Sequence, residues 1–271
     1  MPEHLANKPF AELIEQNQKI VFPVEKFSTE SRAAGKLRYY YGWLVAAVLL
    51  LFIAAPALVF LWLINRRKWL YPLASWGART WLKACGGRVE VRGLENIKRN
   101  ENYVFISNHR SYLDTATLFA CTGHRIGLVA KRELLKVPVL GQGMNFVNII
   151  AIDRSDAEQS RRSMQKAREV LESGYSFGVF AEGTRARRGE LLPFKKGAFH
   201  LALQTEATIV PVAIKNTDWM MGKKTGAAHP GTIEMVLLPP IETKNLSAEN
   251  DLMNLLKRTR AVIAEELAAE N

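Results

Sequence analysis

The chain has 271 residues, 48% of them apolar and 23% charged, with a formal net charge of +11 at pH 7. That composition excludes a disordered chain and leaves length for one large α/β domain, or a domain plus an appendage. The excess of Lys and Arg points to an anionic partner, whether nucleic acid, an anionic membrane, or a phosphorylated or CoA-bearing substrate. The two cysteines, Cys85 and Cys121, have neither metal-ligand nor disulfide-framework spacing, which suits a reducing compartment.

Residues 1–38 are polar and weakly patterned. Phe10, Leu13, Ile14 and Ile20 allow a short amphipathic helix within Pro9–Phe22, and a mobile polar tail is the alternative. Trp43–Ile64 has no charged residue. In helical form a bilayer core needs roughly 20 residues, and this run supplies about 22. Tyr39, Tyr40, Tyr41 and Trp43 stand at one end and Trp62 at the other. Lys36 and Arg38 precede the run, and Arg66, Arg67 and Lys68 come directly after it. Such aromatic and basic flanks mark a membrane interface, and the basic side predicts a cytosolic location for the main domain. The run starts too far along the chain for a signal peptide. Pro56 lies mid-run, so a kinked span and a re-entrant segment both fit. In Trp69–Ala84, Trp69, Leu70, Leu73, Trp76 and Trp81 recur at spacings near three and four, while Arg79 and Lys83 point elsewhere. That is the pattern of an interfacial helix or of a core-facing one. The expected layout is a polar tail over 1–38, a membrane-anchoring hairpin or span plus interfacial helix over 39–85, and the main domain over 86–271.

From Arg88 the pattern becomes α/β. Strands are expected at Val89–Val91, Tyr103–Ser107, Ile126–Ala130, Val147–Ile152, Phe177–Phe180, Thr208–Ile214 and Thr232–Leu238. Helices are expected at Asp114–Cys121, Ser155–Ser173, Gly197–Gln204 and Ala248–Ala268. Runs apolar on both faces and separated by helices predict a mixed, mostly parallel central sheet covered by helices.

Polar residues cluster where these strands stop, which is where open α/β sheets bind ligands. His109 comes just after the Tyr103–Ser107 strand in Ser107-Asn108-His109-Arg110-Ser111-Tyr112-Leu113-Asp114. Imidazole titrates near neutral pH and can take a proton from a hydroxyl, and a carboxylate nearby can fix its tautomer. A histidine satisfied in a turn beside a helix-capping aspartate is the plainer reading of the same pair. Further along come Ile150-Ala151-Ile152-Asp153-Arg154, then Phe180-Ala181-Glu182-Gly183-Thr184-Arg185, then the proline-interrupted strand Ile209-Val210-Pro211-Val212-Ala213-Ile214.

This ordered set resembles the glycerolipid acyltransferase family, in particular the 1-acylglycerol-3-phosphate (lysophosphatidate) acyltransferases. The resemblance covers roughly Arg88–Pro240 and is strengthened by Ala130-Lys131-Arg132-Glu133-Leu134, Val137-Pro138-Val139-Leu140-Gly141 and Leu192-Pro193-Phe194-Lys195-Lys196-Gly197. One departure is Ala181, where the family's third motif usually has proline. The resemblance implies transfer of a fatty acyl group from a thioester, acyl-CoA or acyl carrier protein, to the free sn-2 hydroxyl of 1-acylglycerol-3-phosphate. On that reading His109 is the general base and Asp114 supports its other ring nitrogen, with no covalent acyl-enzyme. Arg154 and Arg185 are first choices for the acceptor phosphate, since guanidinium binds phosphate at two points, and Lys131 is a third. Glu182 would bond the glycerol portion or order the arginines. Gly183 allows close backbone approach, and Thr184 belongs to the same substrate-binding turn. Lys195 and Lys196 suit CoA phosphates, the bilayer surface or plain solvation. No metal, further cofactor or nucleic acid is expected. Partners would be the bilayer, the lysophosphatidate acceptor and the thioester donor, met at the cytosolic face of the membrane. The same chemistry on another lysophospholipid or an aminolipid is the alternative. A non-enzymatic membrane protein binding anionic lipid or nucleic acid is the remote one.

Overall fold

A computed structural model describes residues 10–24, 31–66, 69–131, 136–152 and 157–269. Its first half runs α1 (Phe10–Glu15), β1 (Ile20–Val21), α2 (Arg32–Val48), α3 (Ala55–Leu63), α4 (Leu70–Ala84), β2 (Gly87–Arg92), β3 (Val104–Ser107), α5 (Tyr112–Cys121) and β4 (Ile126–Lys131). The second half runs α6 (Leu140–Phe146), β5 (Ile149–Ile152), α7 (Ala157–Glu172), β6 (Ser176–Phe180), β7 (Glu190–Leu191), α8 (Gly197–Thr205), β8 (Ile209–Lys215), α9 (Thr217–Met221), β9 (Gly231–Leu237) and α10 (Leu252–Ala268).

Seven strands form one sheet in the order β2-β9-β8-β3-β6-β4-β5. Only β8 and β9 pair antiparallel; the other neighbours are parallel. The sheet is therefore mixed and mostly parallel, as its doubly apolar strands require. Central β3 shows why: Val104 and Ile106 enter one apolar layer with Phe199, Leu256 and Ile263, while Phe105 enters the other with Leu82, Leu113 and Leu118. Pro211 sits inside β8 without ending it. Its carbonyl accepts from Leu238 N (2.9 Å), and the paired N–H and C=O toward Ile241 belong to Ile209, two residues earlier. The ladder on that side asks Pro211 for an acceptor only, so the missing N–H is no loss.

Helix α2 continues through a π-helical turn, Leu49–Ala54, into α3. Together Arg32–Leu63 make one helix long and apolar enough to cross a membrane. Pro56 has no N–H for the carbonyl four residues back, and the wide turn before it absorbs the mismatch: Ala55 N bonds Leu50 O, five residues back. Phe52, Val59, Phe60, Trp62 and Leu63 are exposed on this helix. Helix α4 returns against it, and Gly42 lets the two approach closely, since a Cβ there would lie 2.6 Å from Cys85 Sγ. Helix α4 has one buried and one exposed face. Leu70, Tyr71 and Leu82 are buried on the α5 side, while Trp69 and Trp76 face outward. Arg79 donates from Nε and Nη2 to Ala120 O (3.1 and 2.6 Å), capping the end of α5.

Within the segment expected as a polar tail over 1–38, α1 lies inside Pro9–Phe22, where the sequence allows a short amphipathic helix. Over residues 10–24 the chain packs on the main domain, and α2 begins at Arg32. Strand β1 pairs antiparallel with β7. Asn17 clamps Phe194, accepting from its N–H (2.8 Å) and donating to its carbonyl (2.9 Å). Fully buried Arg260 of α10 donates to the carbonyls of Leu13 (2.9 Å), Ile14 (3.4 Å) and Gln18. Order here comes from partners far along the chain, not from local propensity.

Candidate active site

Strands β3 and β6 lie side by side and parallel, with Ser107 opposite Phe180. The segments that leave their carboxyl ends, Asn108-His109 and Ala181-Glu182-Gly183-Thr184-Arg185, therefore emerge together. Asn108 fixes the exit on the far side. Its amide accepts from Ile214 N (2.8 Å) and donates to Ile214 O (2.9 Å), so it continues the β3–β8 ladder with a side chain. Ala186 N donates to His109 O at 2.7 Å and fastens the second segment to the first.

Helix α5 starts with Ser111 as N-cap, and Asp114 three residues on completes a capping box. Asp114 is fully buried, and its Oδ2 accepts from Arg110 N (2.6 Å) and Ser111 N (2.7 Å). His109 Nδ1 meets the same oxygen at 3.0 Å. The capping aspartate and the histidine's partner are thus one carboxylate, so the two readings of the pair describe one arrangement. The His109 ring lies on Phe180, centroids 4.0 Å apart at 17°. Its Nε2 has no partner among the described residues, and the side chain is 15% exposed. A ring held at Nδ1 by a carboxylate and open at Nε2 is suited to accept a proton there.

Glu182 binds backbone on both segments. Its Oε1 accepts from His109 N (2.6 Å) and its Oε2 from Leu192 N (2.7 Å). Among the described residues it forms no ion pair with Arg185, so it orders the backbone of both segments and not the arginine. Burial pushes its carboxyl up to about 8, against those two N–H donors, which pull it down. Gly183 adopts φ +72°, a turn conformation that asks for glycine, while a Cβ there would meet only the flexible end of the Lys195 side chain at 2.8 Å. Ala181, in the place of the family's proline, accepts from Lys195 N at 2.8 Å. Thr184 is exposed and Arg185 half-buried. The Arg185 guanidinium carbon stands 3.7 Å over the Tyr112 ring. Its own carbonyl accepts from Lys223 Nζ.

Lys131 closes β4 opposite Ile152 of β5, at the same end of the sheet. Arg154 lies outside the described residues. Several residues of this neighbourhood were not singled out by sequence reasoning. Buried Arg110 donates from Nε to Glu190 O (2.8 Å) and pairs with Asp218 (3.3 Å), which also accepts from Gly189 N (2.9 Å). Asn108 and Tyr112 stood inside the His109 motif with no role given to either, and Phe180 had only its place at a strand end. Ser111 is engaged as both donor, to Met221 O (2.7 Å), and acceptor, from Leu113 N (3.1 Å). Burial pushes the Cys85 thiol up to about 12 and raises Cys121 as well, so neither favours a thiolate nucleophile.

Comparison with known proteins agrees with this architecture. The family described as Acyltransferase matches residues 88–215. The 1-acyl-sn-glycerol-3-phosphate acyltransferase alpha of Mus musculus is 33% identical over 189 residues, 68% of this chain and 66% of that protein. The 1-acyl-sn-glycerol-3-phosphate acyltransferase of Limnanthes douglasii is 38% identical over 164 residues, 59% of this chain and 57% of that protein. The chain thus spans less than two thirds of the length of these curated relatives. The crystal structure of the 1-acyl-sn-glycerophosphate acyltransferase from Thermotoga maritima superposes with a TM-score of 0.76 at 25% identity, covering 89% of this chain and 99% of that one. Residues 88–215, the domain that holds His109, Asp114 and Glu182, thus match the acyltransferase family, and the chain shares its fold over most of its length with a solved acyltransferase.

Proposed function

We propose that this chain is a 1-acylglycerol-3-phosphate O-acyltransferase, moving a fatty acyl group from an acyl thioester to the free sn-2 hydroxyl and forming phosphatidate. The acceptor is inferred from the names of the curated relatives and of the structural neighbour. The observation that carries the reading is His109 bonded to buried Asp114 at Nδ1 and open at Nε2, with half-buried Arg185, one residue before the Ala186 N–H that donates to His109 O, lacking a carboxylate partner among the described residues. His109 Nε2 takes the hydroxyl proton as the alcohol oxygen attacks the thioester carbonyl. The C–S bond then breaks and the proton passes to the leaving thiolate. Asp114 supports the imidazolium that forms between the two events. Direct attack suits a site whose Ser111 hydroxyl is already committed on both sides. Arg185, with Arg154, is proposed to take the acceptor phosphate, and Lys131 to assist. Acyl-CoA and acyl carrier protein are both chemically adequate donors. The apolar helix and the net positive charge suit work at an anionic bilayer surface, on the cytosolic side that the basic flank predicts.

The test is a purified-enzyme assay with lysophosphatidate, other lysophospholipids and an aminolipid as acceptors, and with both thioester classes. Acylation of lysophosphatidate by wild type is expected, with a drop of about 10²–10⁴-fold in kcat for His109→Ala and an unchanged fold by circular dichroism. No acylation of lysophosphatidate with either donor, or full turnover by the variant, would overturn the reading.

A further inference from the structure

Arg185 is held in an unusual way for an arginine at a polar site. No carboxylate pairs with it among the described residues; its guanidinium lies against the face of Tyr112, 3.7 Å from the ring centroid. Tyr112 is the first residue of α5, just past the N-cap, and is 43% exposed. The ring does not stand alone. Trp43 of α2 meets it edge-on at 5.7 Å and 84°. Trp43 in turn packs on Trp81 of α4 at 5.7 Å and on Tyr39 at 6.2 Å. A continuous aromatic bracket thus runs from the helix long enough to cross a membrane to Arg185, whose neighbour Ala186 bonds the His109 carbonyl.

The physical consequence concerns which edge of Arg185 is used up. A carboxylate would occupy the N–H fork that a phosphate needs. An aromatic face contacts the guanidinium through its plane, holds the charge by the ring quadrupole, and leaves the in-plane donors free. We propose that Tyr112, braced by Trp43, is a positioning residue that presents the Arg185 fork to the acceptor phosphate and links acceptor affinity to the packing of the membrane hairpin. The inference rests on the reading of Arg185 as a phosphate ligand.

Steady-state kinetics on full-length protein in vesicles, with lysophosphatidate as the varied substrate, tests it. Tyr112→Leu is expected to raise KM for lysophosphatidate about ten-fold, with kcat and the thioester KM within about two-fold, and Tyr112→Phe, which keeps the ring, to stay near wild type. Trp43→Leu should shift the same constant in the same direction by a smaller factor. In an Arg185→Ala background, Tyr112→Leu should add no further increase, a result that general loosening of α5 would not give. If Arg185→Ala itself leaves KM unchanged, the phosphate reading fails and this inference with it. If Arg185→Ala raises KM while Tyr112→Leu does not, or if the two increases multiply, the bracket alone is overturned. Loss of the Tyr112→Phe rescue would overturn it too.

Discussion

At Glu182 two effects oppose each other. Burial favours the neutral acid, and two backbone donors favour the anion; burial wins and places the group at about 8, above its ordinary 4.5. A carboxyl whose folded value is raised stabilises the fold fully below the unfolded value and loses that contribution as pH rises toward the folded one. Wild-type stability should therefore fall between about pH 5 and 8 by up to about 1.4 kcal/mol per pH unit more than in Glu182→Gln, and level off above that range. Melting temperatures of both proteins across pH 5–9 check this, and parallel curves would exclude it. The contrast with His109 shows what a sequence reveals at this scale. His109 and Asp114 are five positions apart, inside one turn and a helix cap, so their meeting is a matter of local geometry. Glu182 reaches the His109 amide across 73 positions. Strand order alone makes that contact, and the residue's chemical type suggested a substrate ligand instead. The same distance separates Tyr112 from Arg185, which is why an aromatic within the His109 motif went without a role.

The elements that carry the site were legible because their apolar runs are doubly buried and end in polar motifs: β3, β4, β6 and β8 all lie within a residue or two of their expected limits. The short pieces were not. Strands β1 and β7 have two residues each, and α6 and α9 seven and five, too few for a period to show. Their order is borrowed. Arg260 illustrates how, since it closes the carbonyl end of α1 from α10, and burial pulls its guanidinium down to about 10 without discharging it at neutral pH. Arg260→Met should strand those carbonyls and cost about 2–5 kcal/mol. Because Asn17 and β1 grip Phe194 and β7, the loss should spread to the loop after Glu182. Hydrogen exchange should quicken over residues 10–22 and 183–196 well before the sheet. Uniform quickening across β3 and β8 instead would mean that the N-terminal segment is not a separate clamp.

For the whole molecule the question is which force holds it to lipid, charge or apolar surface. The net charge of +11 and the exposed band that includes Phe52, Phe60 and Trp62 both favour a bilayer, but they respond oppositely to salt. Attraction between basic residues and anionic headgroups decays within the Debye length, about 3 Å at 1 M salt, whereas burial of apolar side chains is not screened. The band belongs to a continuous helix over Arg32–Leu63 whose outward residues are left uncovered by the described residues, so the apolar term should dominate. In flotation with anionic vesicles, wild type should stay with lipid at about 1 M salt. Phe52→Asp combined with Phe60→Asp places two charges in the same stretch, each costing about 2.5–3.5 kcal/mol near a bilayer centre, and should lower the bound fraction at least 100-fold at that salt. At low salt the variant should recover part of its binding through the basic residues alone. Wild type released by salt would instead assign the attachment to charge, leaving the exposed band of α2 and α3 without lipid around it.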